Sequence, residues 1–131
     1  MLILDTCAMV YDSLDPVRLS KKTAEAITQA DDAGTLACCD ISLWEIVMLI
    51  AKGRLNPGTG AQKYIQLILA ARNINVLPIT TEIAARSTQP AFCLHGDPAD
   101  RIIAASTIIH KAKLVTSDQK LAMVTGLHII W

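Results

Sequence analysis

Four acidic residues carry most of the chemistry this sequence could perform. Asp5 directly follows the apolar run Leu2-Ile3-Leu4, so its carboxylate emerges where a buried strand would end. Thr6 beside it could orient that carboxylate, or a water, through its hydroxyl. Asp5 suits a turn or helix cap equally well, because Asp readily accepts backbone N–H bonds, and both readings stand. Glu45 is the only acid between Ser42 and Ala51, and every residue after it in that stretch is apolar. A charge buried there without a partner is costly, and a metal ion would offset it. Ser42, three residues earlier, offers a competing account, since Ser-x-x-Glu is also a capping box, which the spacing by itself favours.

The third and fourth acids come late in the chain. Asp97-Pro98 reads as an N-cap followed by proline at the first helical position, which puts Asp100 at the third. Both acids suit the positive end of a helix dipole. Asp97 is assigned to capping and Asp100 to chemistry, because Asp100 opens a mainly apolar helical stretch through Ile109. Asp118 follows Leu114-Val115-Thr116-Ser117, and either Ser117 or Asp118 could cap a short helix through Met123. That capping reading stands level with a metal-binding one. Thr116 lies at the same strand end, where its hydroxyl could hold a water or a phosphate oxygen.

Carboxylates gathered on one rim repel one another at neutral pH unless cations or protons intervene. Hard divalent ions answer this, and Mg²⁺ or Mn²⁺, one ion or two, suit oxygen donors. Zinc would recruit Cys or His, and His95, His110 and His128 show no ligand spacing. Lys52, Arg54 and Arg101 are the nearest candidates for holding phosphates, although each also reads as an ordinary solvated charge, and Arg101 could instead pair with Asp97 or Asp100.

Something must bring these acids together. Short apolar runs at Leu2–Leu4, Leu36–Cys39, Lys113–Thr116 and His128–Ile130 read as strands, with Val76-Leu77 a weaker fifth. Helical spacing falls between them, over Ser20–Ala33, Ser42–Lys52, Ala61–Arg72, Glu82–Thr88 and Ala99–Lys111. Alternation of this kind implies parallel crossovers, and an open parallel sheet presents its ligands at the carboxyl ends of its strands. Asn56-Pro57-Gly58 marks a loop, and Pro90 to Pro98 a second.

With 131 residues the chain reads as one domain, residues 1–131, whose core is built from Ile, Leu, Val and Ala because aromatics are only 4%. Twelve basic and twelve acidic residues cancel, so any attraction for nucleic acid must be local. The four cysteines include no C-x-x-C pair, and the adjacent Cys38 and Cys39 would point to opposite faces of a strand; they read as reduced cytosolic residues. No run approaches the roughly 20 apolar residues that span a bilayer, so a cytoplasmic protein without a membrane partner is expected. The high apolar content implies that another subunit or partner covers some surface.

Leu4-Asp5-Thr6, Ser42-Leu43-Trp44-Glu45-Ile46, His95 through Arg101, and Leu114-Val115-Thr116-Ser117-Asp118, in that order, resemble the PIN-domain nucleases, and among them the VapC-like toxins of toxin–antitoxin pairs. The resemblance runs from Leu2 to Trp131. It implies a three-layer α/β/α sandwich around a parallel sheet of four to five strands, and metal-dependent hydrolysis of RNA phosphodiester bonds. It makes Asp5, Glu45, Asp100 and Asp118 the metal-binding and catalytic quartet, with Thr6, Asp97 and Thr116 in supporting places. An antitoxin partner and a homodimer follow from it as expectations. Cys7 stands where many relatives have His, Asp40 where a small polar residue is commoner, and Ala99 where Phe is frequent. Two rival readings are an inactive PIN scaffold that only binds, and an aspartyl-phosphate phosphotransfer protein. The second is poorly matched, because position 7, two residues after Asp5, is Cys rather than Asp.

Overall fold

The computed structural model describes residues 1–92 and 96–131; Cys93, and His95 of the motif before Asp97, lie outside them. Five strands form one parallel sheet: β1 (Leu2–Leu4), β2 (Leu36–Cys39), β3 (Asn75–Leu77), β4 (Lys113–Val115) and β5 (His128–Ile130), in the order β3-β2-β1-β4-β5. The register pairs Leu2 with both Leu36 and Lys113, Ala37 with Asn75, and Lys113 with His128. The chain builds outward from β1 to β3, then returns to lay β4 on the other side of β1, so the strand order reverses between β1 and β4. That reversal opens a crevice at the carboxyl ends of the two central strands.

Because successive side chains of a strand point to opposite faces, each strand divides its residues between two cores. Leu2, Leu4, Leu36, Cys38 and Val115 meet Ala8 and Met9 of α1 (Thr6–Leu14), Ile27 of α2 (Lys21–Asp32), Ile46 of α3 (Asp40–Ala51), and Tyr64 and Ile68 of α4 (Ala61–Ala71). Ile3, Ala37, Cys39 and Leu114 meet Ile83 of α5 (Thr81–Ser87), Ile103 to Ala105 of α6 (Pro98–Ile109) and Leu121 of α7 (Gln119–Ala122). Helices therefore cover both faces, giving the expected three layers, and Cys38 and Cys39 do fall in opposite cores. The central strands are buried on both sides, which is why they read as unbroken apolar runs rather than alternating ones.

Two local features depart from the sequence reading. Helix α1 carried no helical expectation: Thr, Cys, Val and Tyr are poor helix formers, and its start is set by the cap that Asp5 supplies. Helix α3 begins at Asp40 rather than beside Ser42, with Cys39 as its N-cap residue. Asp40 itself accepts a hydrogen bond from the Ile79 N–H at 3.1 Å, fastening the start of α3 to the loop after β3.

Candidate active site

Asp5 sits at the end of β1 and is 95% enclosed, at 5% exposure. Its backbone N–H still pairs with the Val115 carbonyl of β4 at 3.1 Å, while its carboxylate accepts the Ala8 N–H at 2.6 Å as the cap of α1. The two roles left open by the sequence are thus compatible: a carboxylate offers about four acceptor positions, and capping uses only some of them. Burial pushes Asp5 from the ordinary 3.8 up to about 6 against hydrogen bonds from Thr116 and Ala8, and the neighbouring Asp118 adds to the rise.

Across the crevice, Thr116 leaves β4 as a buried residue whose hydroxyl does two jobs. It hydrogen-bonds Asp5 and accepts the Asp118 N–H at 3.0 Å. Asp118 in turn caps α7 through Lys120 N–H at 2.7 Å and Leu121 N–H at 3.4 Å. One threonine therefore joins the acids on both sides of the strand reversal.

Thr6 does the same for the acid on α3. Its hydroxyl reaches the Glu45 carboxylate and lies 3.0 Å from the Ser42 hydroxyl, which is fully buried. This overturns the capping box: Ser42 and Glu45 lie one turn apart inside α3 and turn together toward α1. Thr6 orients Glu45 rather than Asp5. Glu45 is raised by burial, lowered by Thr6, and raised again by Asp97 and Asp5, so it faces both. Asp97 caps α6 through the Ala99 N–H at 2.9 Å, with Pro98 at the first turn, which sets Asp100 on the third helical residue as the spacing required.

The charges of all four acids are felt at Cys7. Its thiol, although the residue is exposed, is pushed up to about 11, first by partial desolvation and then because Asp5, Glu45, Asp100 and Asp118 would each repel a thiolate there. The end of β1, α3, the start of α6 and the loop after β4 thus each supply an acid whose charge reaches Cys7, while among the described residues no three such side chains stand together as a metal-holding group. The partnership of Ser42 with Thr6 is not legible in the sequence, where the helical spacing of Ser42 from Glu45 is equally that of a capping box.

A cleft of about 410 Å³ lies between α3 and α6. Glu45 and Asp97 lie among its lining residues with Lys52 and Arg54, and Trp44, Met48 and Ile102 supply apolar wall. Lys52 and Arg54 are exposed, as phosphate-holding cations must be, whereas Arg101 is half-buried and does not line the cleft. Among the described residues no helix is long and apolar enough to cross a membrane.

A model of the PIN domain matches residues 2–127. Ribonuclease VapC22 of Mycobacterium tuberculosis is 33% identical over 119 residues, covering 91% of this chain and 88% of that relative. Among solved structures, the VapBC2 complex of Rickettsia felis bound to a promoter DNA fragment contains a chain that superposes with a TM-score of 0.76 at 18% identity, covering 98% of this chain and 96% of that one. FitAcB of Neisseria gonorrhoeae gives a TM-score of 0.67, also at 18% identity, over 100% and 97% of the two chains. The structural matches share the fold, and the family match and the VapC22 relationship establish kinship: this chain belongs to the PIN-domain family.

Proposed function

We propose that this chain is a Mg²⁺- or Mn²⁺-dependent endoribonuclease, the toxin of a toxin–antitoxin pair, acting in the cytoplasm. The observation that supports the reading is that the charges of Asp5, Glu45, Asp100 and Asp118 all reach Cys7, beside the strand reversal, in a chain related to a VapC ribonuclease. The donors are carboxylate oxygens, the chemistry of a hard divalent ion. Asp5 and Glu45 are both raised, and no cation figures among the influences on either. Among the described residues no three Asp, Glu, His or Cys side chains close into a ready-made cage.

Asp5, Glu45, Asp100 and Asp118 would hold the ion or ions, with Thr6 fixing Glu45 and Thr116 fixing Asp5 relative to Asp118. A bound divalent ion supplies a water acidic enough to act as nucleophile near neutral pH. The chain supplies the rest. Its threonines hold the acids in place before substrate arrives, and Lys52 and Arg54 offer positive charge to the phosphates along the cleft. No Ser, Cys or His nucleophile is needed, and the raised thiol of Cys7 is a poor one.

The partner reading is supported by a structural neighbour, the toxin–antitoxin complex from Klebsiella pneumoniae. Trp44 and Val47, exposed on α3, are apolar surface that an antitoxin would cover. Purified protein should cleave single-stranded RNA with Mn²⁺ or Mg²⁺ present and lose the activity on chelation or in Asp5→Asn. Cleavage that survives both treatments refutes the mechanism. Calorimetric titration with Mn²⁺ separates it from an inactive scaffold, which need not bind the ion.

A further inference from the structure

The rim of the sheet carries an aromatic group that the acids do not use. Leu4, Val115 and Ile130 are in register across β1, β4 and β5, so Asp5, Thr116 and Trp131 are the next positions along the three neighbouring strands. The pairing persists to that level, because the Thr116 N–H donates to the Ile130 carbonyl at 3.3 Å. At about 4.8 Å per strand, the Trp131 backbone lies on the order of 10 Å from that of Asp5.

Side chains also tie the end of β5 to α1. Tyr11 lies one helical turn after Cys7 and on the same face of α1. Its ring centroid is 6.1 Å from that of Trp131, with the planes at 61°, an edge-to-face contact. The Arg18 guanidinium carbon sits 4.3 Å from the Tyr11 centroid. Trp131 is 36% exposed. An edge-to-face pair leaves at least one face of the indole outside the contact. A half-exposed tryptophan, braced by a tyrosine and accompanied by an exposed guanidinium, therefore stands on the same rim as Asp5, two strands away.

We propose that Trp131, held by Tyr11 and flanked by Arg18, is a stacking platform for a base of the single-stranded RNA near the phosphate to be cleaved. The proposal rests on the nuclease reading above and adds where one base of the strand lies: at the β5 end of the rim, one strand beyond Thr116. Every base has a π-face, so such a platform grips a strand without reading its sequence. Arg18 provides the charge complement that a polyanion needs next to four carboxylates.

The chain has two tryptophans, so Trp44→Phe leaves Trp131 as the sole indole reporter. In EDTA, where cleavage is stopped, a 2′-O-methyl oligoribonucleotide of about eight nucleotides should quench and saturate Trp131 emission. Replacing one base at a time by an abasic site should weaken binding at one position by roughly 5- to 150-fold, the value of one stacked base. In the intact sequence, Trp131→Ala should raise KM for RNA by a similar factor with kcat little changed, and Trp131→Phe should recover most of the loss. Flat emission at saturating RNA, or equal affinity for every abasic oligonucleotide, overturns the platform. So does a Trp131→Ala protein that loses thermal stability and kcat while keeping KM, the signature of a purely structural brace. These outcomes are separable from failure of the nuclease reading, which shows instead as an absence of metal-dependent cleavage in the parent protein.

Discussion

Replacing Asp5 by Asn should make the metal-free protein more stable while removing its activity. Burial raises the folded-state acid from 3.8 to about 6, a preference for the protonated form. At 1.36 kcal/mol per tenfold change, ionising it in the folded chain costs about 3 kcal/mol relative to the unfolded one. Between roughly pH 4 and 6 the folded state binds more protons than the unfolded state, so stability falls as pH rises through that window and the penalty is complete above it. Asn cannot ionise, and it caps a helix as well as Asp, so the Ala8 N–H keeps its acceptor. Thermal unfolding in EDTA at pH 8 should therefore show Asp5→Asn above the parent by up to about 3 kcal/mol, on the order of 10 °C for a chain of this size. The gap should close near pH 4. Mn²⁺ at 100 times its Kd should add about 2.7 kcal/mol to the parent and little to the variant. A variant no more stable than the parent at pH 8, or a gap of equal size at pH 4, refutes the claim that Asp5 is a buried charge awaiting a cation.

Other substitutions test the supports. Thr6→Val keeps the shape but strips Glu45 of its hydroxyl donor and leaves the buried Ser42 hydroxyl without its partner; urea unfolding should show a loss of about 1–3 kcal/mol, and cleavage should fall with it. Because Thr6 is what holds Glu45 down, the acidic limb of the pH–rate profile should move upward in that variant. Asp97→Ala removes the cap on the Ala99 N–H and should cost about 0.5–2 kcal/mol, whereas Asp97→Asn should restore nearly all of it. If Lys52 and Arg54 hold phosphates, each change to Ala should flatten the slope of log affinity for single-stranded RNA against log salt by about 0.7. An unchanged slope would return them to the status of solvated charges.

Much of this protein was legible in its sequence because its signals are local. Leu2–Leu4 and Leu36–Cys39 are apolar on both sides, as only centrally placed parallel strands need to be, and Asp97-Pro98 announces the start of α6 by cap chemistry alone. The acids at Asp5, Glu45, Asp100 and Asp118 stand out as charges at strand ends or on apolar helices. β3 was the weakest expectation, since Asn75 and Val76 are exposed at the sheet edge and carry little apolar pattern. Helix α1 was missed because its residues favour no helix and its formation depends on Asp5 turning back to Ala8. Only the tertiary structure could decide which hydroxyl serves which acid. Ser42 and Glu45 have capping-box spacing, yet β2 hands over to α3 two residues before Ser42, and the pair is spent instead on Thr6, 36 and 39 residues away in the chain. Spacing along a chain reports only contacts within one element. The order β3-β2-β1-β4-β5 brings Asp5 beside Thr116, with Trp131 one strand further along, and that neighbourhood is a property of strand pairing that no single segment encodes.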